Sequence, residues 1–310
     1  MIKRLITIAM LLFPIGSTAQ QDSHFSQGVF NQGYINPGSY GIGDDDLFCA
    51  TIANRIQTTN LDGSPTTTVL NVNGPLNFIN SGISISVFND KIGYLKAPGF
   101  NLGYSYIFAL STGRLGIGVS LGMINSKYDS KDWRLPDGTT GDILLPTGDV
   151  DATTFDAGLG IYYTDNKFFA GVSCSHINRA AMTKASEKTT FGRTFYIMAG
   201  YRYTFGFTDN YELRPSVQVN TDFGVGKYTM NAHLFLQKKY WVGLSYRYEE
   251  AMIFNIGLEL IKNLKIGYSY DYFTTEIEKY GGGAHEILVN YRFSISTEKR
   301  NNQRKSIRYL

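Results

Sequence analysis

The strongest pattern along the chain is an alternation of apolar and polar residues with a period of two. In residues 240–248, tyrosine, valine and leucine occupy one face, and Gly243, Ser245 and Arg247 occupy the other together with Trp241. This alternation indicates a β-strand with one apolar face. Aromatic residues stand at the ends of that face, which is typical of strands that cross a membrane as part of a barrel.

The same alternation recurs along the chain and predicts about 14 strands, most of them near the roughly 9–11 residues that a tilted spanning strand needs. An even number suits a closed antiparallel barrel. The predicted strands are 47–57, 66–73, 80–89, 98–109, 113–126, 152–163, 167–177, 191–206, 212–222, 227–237, 239–248, 251–260, 264–273 and 284–294.

The connections between the predicted strands sort by length, which provides an independent test of the barrel. Links after even-numbered strands are short, whereas those after odd-numbered strands are usually long, namely 58–65, 90–97, 127–151, 178–190 and 274–283. Outer-membrane barrels have short turns at one end and long loops at the other, with both termini at the short-turn end. A soluble β-sandwich, the alternative, would not sort its loops in this way. The link at Glu249-Glu250 breaks the rule.

The first residues predict a cleaved secretory signal peptide. Lys3 and Arg4 precede an apolar run from Leu5 to Ile15, and small residues around Ala19 place the cleavage after that residue. The run is too short for a membrane anchor, which needs about 20 apolar residues. Gln20 rather than cysteine follows the predicted cut, so we do not expect a lipoprotein.

Four regions follow from these predictions. They are a signal peptide (1–19), a periplasmic N-terminal segment (20–46), a transmembrane β-barrel (47–294) and a basic C-terminal tail (295–310). The tail contains five basic residues against Glu298, and it is either simply solvated or a docking element.

Composition fits a barrel and excludes several other classes. The 310 residues include 33 Gly, 22 Tyr and 20 Phe, an excess of glycine over the usual ~7%. A net charge of +3 is too weak to indicate nucleic-acid binding. Two cysteines, Cys49 and Cys174, do not form a disulfide framework, and we expect no structural bridge.

No motif indicates catalysis, a cofactor or a metal, so we expect none of the three. His285-Glu286 begins like a zinc-protease helix, but Val289 stands where the second histidine should be. Asp44-Asp45-Asp46 lacks the later ligands of a calcium loop. We also find no nucleophile elbow and no phosphate-binding loop.

Eight ionisable residues have the strand parity that points into the lumen. Because a lipid-facing Arg or Lys costs about 2–4 kcal/mol at the bilayer midplane, such charges should be wet or paired inside. They form either an internal network that holds the barrel closed or a polar lumen that receives a partner segment. The residues are Arg55, Asp156, Arg202, Arg247, Glu259, Asp271, Glu286 and Arg292.

A second candidate site lies ahead of the first predicted strand, where aromatic and amide residues are dense. For Phe25, Ser26, Gln27, Asn36 and Pro37 we predict either periplasmic docking to a partner or a plug in the lumen. The remaining alternative is a simple lead-in to the first strand.

Several motifs resemble the PorP/SprF family of type IX secretion membrane proteins, in the family's order and over nearly the whole mature chain. Two positions depart from the family pattern: Thr58 replaces a tryptophan and Gly38 replaces an alanine. The motifs are Gln21-Asp22-Ser23-His24-Phe25-Ser26-Gln27, Phe30-Asn31, Tyr34-Ile35-Asn36-Pro37, Arg55-Ile56-Gln57, Phe88-Asn89-Asp90-Lys91-Ile92-Gly93, and the strands around Phe155–Tyr163, Phe169–Ser173, Ile266–Tyr272 and Gly283–Ile287.

The resemblance implies a non-enzymatic outer-membrane barrel with both termini in the periplasm. It implies support for export or surface attachment of proteins, including gliding adhesins, that carry a type IX C-terminal signal domain. The implied partners are the lipid bilayer, the periplasmic ring with its peptidoglycan-linked component, and the C-terminal domain of a secreted protein. The alternative is a transport barrel for small or hydrophobic solutes. Whether the chain serves many clients or one adhesin stays open.

Overall fold

The structure is a computed structural model. Within the ranges it describes, every helix is a single turn, too short to cross a bilayer. The predicted signal peptide, Asp44-Asp45-Asp46, most of the predicted loops 127–151 and 178–190, and nearly all of the basic tail lie outside the described residues. Those described are 24–43, 47–59, 63–128, 150–178, 191–207, 210–276 and 278–295.

The strands form one antiparallel sheet that closes on itself. Thr194–Tyr201 and Tyr203–Phe205 are two parts of one strand, interrupted at Arg202, and both pair with Tyr211–Thr221. The ring therefore has 14 strands, with Phe48–Ile56 paired to Ala284–Phe293 at the seam. The strands are β1 Phe48–Ile56, β2 Thr66–Leu76, β3 Ser81–Ile92, β4 Leu95–Ala109, β5 Arg114–Tyr128, β6 Val150–Thr164, β7 Phe168–Ser175, β8 Thr194–Tyr201, β9 Tyr203–Phe205, β10 Tyr211–Thr221, β11 Gly226–Leu236, β12 Tyr240–Arg247, β13 Ala251–Ile261, β14 Leu264–Phe273 and β15 Ala284–Phe293.

The predicted barrel and its strand number are confirmed, but the sorting of the loops is wrong in part. Residues 90–97, predicted to be a long loop, instead extend β3 and β4, which pair as far as Ile92 and Leu95. Only Gly93 and Tyr94 remain as a turn, and Gly93 supplies the positive φ of 56° that a tight turn requires. The link at Tyr248–Glu250 is also a short turn, so short turns occur at both ends of the barrel.

We call the end where β1 begins and β15 ends the proximal end, and the opposite end the distal end. β4, β5 and β6 have 15 residues each, whereas β7 and β12 have eight. The extra length of β6 lies at the distal end, where residues 150–156 continue past its ladder with β7. The distal parts of β3–β6, which we call the distal ridge, therefore stand above the rest of the rim.

The barrel wall is apolar outside and polar inside, the reverse of a water-soluble protein. Outward side chains at mid-strand, such as Leu102, Ile161 and Ile256, are more than half exposed. Inward serine, asparagine and arginine side chains are buried, and Asn71, Ser105 and Arg247 have no exposed surface within rounding. An apolar outer face of this kind is stable only in contact with lipid.

This arrangement predicts a depth-dependent cost for charge on the outer face. Ile256→Arg, at mid-strand in β13, should destabilise the barrel by about 2–4 kcal/mol because the guanidinium meets hydrocarbon. Leu260→Arg, one residue from the end of the same strand, should cost only about 0–1 kcal/mol. Denaturant titration of folding into lipid vesicles measures both. Equal costs at the two depths would contradict the assignment of this face to lipid.

Candidate functional site

Residues 24–43, which we call the N-terminal plug, run through the lumen from the distal end to the proximal end. At the distal end Nδ2 of Asn220 donates to Nδ1 of His24 at 2.6 Å. At the proximal end the Arg114 guanidinium donates to the carbonyl of Gly43. Between them lie two 3₁₀ turns and the one-turn helix Gln32–Ile35. Of the alternatives for this segment, the arrangement of residues 24–43 corresponds to the plug in the lumen.

The distal half of the plug is held by an ion cluster that consists of Ser26, Arg55, Arg247, Asp271 and Glu286. The Ser26 hydroxyl donates to Asp271, whose two oxygens lie at 2.7 and 2.8 Å. It accepts from Arg55 at 2.7 Å and from Arg247 at 3.0 Å. One donor and two acceptor positions are all that a hydroxyl has, so Ser26 is fully used.

Ion pairs complete the cluster and balance its charge. Asp271 lies 2.7 Å from Arg55 and 3.1 Å from Arg247, and Glu286 lies 3.4 Å from Arg55. Glu286 also accepts from the backbone amides of Ser26 at 2.6 Å and of Gln27 at 2.9 Å. Arg247 also pairs with Glu250 at 3.0 Å, and Glu250 lies 3.4 Å from Lys227, so that three cations face three carboxylates. Removing one partner from such a buried group typically costs about 3–5 kcal/mol.

Four of the eight predicted inward ions meet in this cluster, and the other four lie elsewhere in the lumen. Asp156 pairs with His176 at 2.8 Å, and Glu259 lies 4.0 Å from Lys265. Arg202 and Arg292 line a cavity at the proximal end. The structure adds Arg214 and Lys265 to that cavity; both have the inward parity of their strands, although they were not among the eight predicted residues.

The proximal half of the plug is anchored on the opposite wall, formed by β4–β7. The Asn36 amide donates to the carbonyl of Ile161 at 3.0 Å. Ser173 donates to the carbonyl of Ile35, and Ser105 donates to that of Tyr40. The ion cluster includes Glu286 of β15, whereas Ile161 belongs to β6. Around the ring, β6 is six strands away from β15 out of 14. The plug therefore bridges nearly opposite walls.

Glycines in this wall and in the neighbouring β3 make room for the plug. A Cβ atom added at any of these glycines would overlap an atom of the plug. The overlapped atoms belong to the Tyr40 ring or carbonyl, to the Gly38 and Pro37 carbonyls, or to the Asn36 amide. Any residue with a Cβ would displace the plug, which explains part of the glycine excess. The positions are Gly82, Gly103, Gly116, Gly118, Gly160 and Gly171.

The plug contains no Asp, Glu, Lys or Arg side chain. The charges of the lumen beside it therefore belong to the barrel wall.

A cavity remains at each side of the plug. The distal chamber has a volume of about 60 Å³ and is lined by Phe25, Tyr34, Phe88, Asp156 and His176, among others. The proximal chamber has a volume of about 180 Å³. Phe30 closes part of it: its ring centroid lies 5.3 Å from that of Trp241 in a tilted arrangement and 5.2 Å from that of His233 in an edge-to-face arrangement.

The described residues offer little chemistry beyond these contacts. Nowhere among them do three His, Cys, Asp or Glu side chains gather as a metal site would need. The thiols of Cys49 and Cys174 are not joined to each other. The arrangement can hold a segment in place and bind ligands at its two ends.

A barrel with an apolar exterior, a polar interior and an internal plug is an outer-membrane β-barrel protein. The model of the family described as type IX secretion system membrane protein PorP/SprF matches residues 17–291, so the chain belongs to this family. It is thereby an outer-membrane component of type IX secretion. No curated protein matches the chain.

Solved outer-membrane barrels are similar in fold at low identity, with TM-scores below 0.5, and we draw nothing further from them. Omp33 of Acinetobacter baumannii is 11% identical, with 80% of this chain and 98% of that chain covered and a TM-score of 0.47. The toluene transporter TbuX of Ralstonia pickettii is 10% identical, with 83% and 91% covered and a TM-score of 0.49. A FadL homologue of Pseudomonas aeruginosa is 11% identical, with 89% and 96% covered and a TM-score of 0.44.

Gly38→Ala should loosen the plug from the wall. The added methyl would lie 2.7–2.8 Å from backbone atoms of Gly116, Ile161 and Tyr162, closer than backbone can relieve by rotation. Gly43→Ala is the matched control, because nothing lies within 4 Å of its added methyl. Single-channel recording in planar bilayers should show increased conductance for Gly38→Ala only. A closed Gly38→Ala channel would contradict this packing.

Ser26→Ala should loosen the plug at its other anchor. Both guanidinium groups and Asp271 lose a hydrogen-bond partner, at a cost of about 1–3 kcal/mol. Hydrogen exchange of the backbone amides at Ser26 and Gln27 should accelerate by roughly tenfold or more. Ser39→Ala is the control, because its hydroxyl donates only within the plug, to the carbonyl of Asn36. The same exchange rate at residues 26–27 in both variants would argue against the cluster as an anchor.

Proposed function

We propose that this protein is a non-enzymatic barrel that supports export or cell-surface attachment of proteins carrying a type IX C-terminal signal domain, gliding adhesins among them. Family membership supports the pathway. The observation that favours a role in binding rather than conduction is the plug, which is bonded to two nearly opposite walls of the lumen. A barrel whose lumen is filled in this way would bind partners at its two ends rather than conduct solutes.

We further propose that the proximal end faces the periplasm and the distal end faces the outside. The short turns between β4 and β5, and between β6 and β7, lie at the proximal end, as is usual for periplasmic turns. In this orientation β15 ends toward the periplasm. The plug would then run between the periplasmic end, at Gly43, and the cell-surface end, at His24.

The orientation assigns different partners to the two ends. The distal ridge and distal chamber would receive the C-terminal domain of a secreted protein. The proximal end would contact the periplasmic ring and its peptidoglycan-linked component. Phe25, Ser26, Gln27, Asn36 and Pro37 would act mainly by holding the plug, because all five are buried against the barrel or within the plug.

The alternative, a transport barrel for small or hydrophobic solutes, requires a passage through the lumen. The plug separates the distal chamber from the proximal chamber and contributes lining residues to both. Transport would therefore require the plug to move. Substantial ion conductance or solute uptake by the unmodified protein in liposomes would favour this alternative.

Co-purification from native membranes tests the proposal. The tagged protein should retain a type IX C-terminal domain, the periplasmic ring, or both, whereas an unrelated outer-membrane barrel should retain neither. Lys91→Glu with Lys96→Glu, a cross-strand pair on the distal ridge, should reduce capture of the C-terminal domain. Lys238→Glu with Lys262→Glu, in the proximal turns between β11 and β12 and between β13 and β14, is the matched control. A barrel that captures neither partner and conducts ions would show the proposal to be wrong.

A further inference from the structure

We propose that the outer face of the distal ridge binds a membrane lipid through the phosphate groups of its head. The inference goes beyond the proposed function, and it uses the orientation given there only to name the leaflet, which would be the outer one. Binding itself depends on residues of β3–β6 whose strand parity points away from the lumen, so it can be measured on the isolated barrel.

The first observation is a row of three lysines on adjacent strands. Lys91 of β3 lies directly across from Lys96 of β4, which in turn lies directly across from Lys127 of β5. All three are exposed. Side chains at such cross-strand positions begin only about 4.5–5.5 Å apart, and like charges placed there repel each other. The row therefore opposes folding unless an anion lies among the three ammonium groups.

The carboxylates near the row neutralise only part of its charge. Lys127 lies 3.4 Å from Asp151 of β6, which occupies the next cross-strand position. Asp90 has the opposite parity, toward the lumen, and accepts from a threonine of β2 at 2.6 Å. Within the described part of the chain, Lys91 and Lys96 have no carboxylate within 4.0 Å. Two positive charges at the outer face are therefore left for a ligand.

The second observation is the order of the outward side chains below the lysines, toward the middle of the barrel. The next level is polar on β3 and β5, where Asn89 and Asn125 carry amides. The level after that is a continuous apolar row across the four strands, between 43% and 53% exposed. It consists of Val87, Phe100, Met123 and Phe155.

These three levels match the parts of a lipid in the same order. The lysines suit the phosphates, the amides suit the sugar or ester oxygens beneath them, and the apolar row suits the acyl chain. A free anion would use only the first level. The arrangement therefore favours a whole lipid molecule over a small solute.

The height of the lysine row agrees with the level of lipid heads. Lys96 precedes Phe108, the last outward aromatic residue of β4, by 12 residues. A strand that is tilted by about 35–45° gains roughly 2.4–2.8 Å per residue along the barrel axis. The row thus lies about 30 Å from Phe108, whereas the apolar band of such a barrel is about 25 Å tall. The ammonium groups are therefore just past the band, where lipid phosphates lie.

The charge of the row selects the kind of lipid. Two lysines without a carboxylate suit a head that carries two negative charges. A zwitterionic head suits them poorly, because its own amine neutralises its phosphate. The ligand class is therefore a lipid with two phosphate charges, and diphosphoryl lipid A is the probe.

Native mass spectrometry of the detergent-solubilised barrel measures the binding of single lipid molecules. Diphosphoryl lipid A should bind saturably, at least about tenfold more tightly than phosphatidylcholine. Lys91→Gln with Lys96→Gln should weaken lipid A binding by at least about tenfold. Lys238→Gln with Lys262→Gln, the same charge change in the proximal turns, should leave it unaltered. Lys91→Arg with Lys96→Arg should retain most of the binding, because the positive charges remain.

Thermal unfolding gives a second readout, in which the sign of the effect depends on the lipid. Without lipid, in a zwitterionic detergent, Lys96→Gln should unfold at the same or a higher temperature than the unmodified barrel, because a repelling charge is gone. With lipid A, the unmodified barrel should gain more in unfolding temperature than the variant, because a ligand of the folded state stabilises it. An equal gain in both would contradict the proposal.

Four results of the binding experiment would overturn the proposal. They are equal binding of phosphatidylcholine, unchanged lipid A binding in the distal glutamine variant, an equal loss in the proximal variant, and full competition by inorganic phosphate, which would indicate a site for a small free anion. If charge reversal at Lys91 and Lys96 reduces capture of the C-terminal domain while the distal glutamine variant keeps its lipid A, only the lipid proposal is wrong. If lipid A binds as expected while no type IX partner co-purifies, only the proposed function is wrong.

Discussion

The rest of the structure depends on the requirement that every charge inside a membrane barrel has a partner. Asp271 and Glu286 on two strands, and Arg55 and Arg247 on two others, are buried with their side chains almost entirely hidden from solvent. Ser26 of the plug supplies a hydroxyl, and Ser26 and Gln27 supply backbone amides, that add hydrogen bonds to these ions inside the lumen. The plug and the wall are therefore one polar core, and neither is satisfied without the other.

On the opposite wall the fit depends on shape rather than charge. Gly116, Gly118 and Gly160 lie where the plug backbone passes, and Asn36 and Ser173 add hydrogen bonds to the contact. The two anchors thus differ in kind. One is electrostatic and sensitive to the loss of a partner, whereas the other is steric and sensitive to the gain of a methyl group.

Most of the wall could be predicted from the sequence, because period-two alternation repeats in each strand and fixes which residues point inward. That parity identified Arg55, Arg247, Asp271 and Glu286, but it could not bring them together, since they are distant in sequence and meet only when the ring closes. The path of the plug has no periodic pattern, so its place in the lumen was one of three alternatives. The loop at 90–97 was misjudged because β3 and β4 continue through Lys91 and Lys96 up to the two-residue turn at Gly93 and Tyr94.

The ion cluster lies across the seam where β1 pairs with β15, and it joins residue 26 to residue 286. The first part of the chain can reach its partners only after the last strands have been made, and the ring must close around it. The hydrogen bonds of Ser26 therefore depend on strands from both ends of the chain, and all of them can be present together only in the closed barrel.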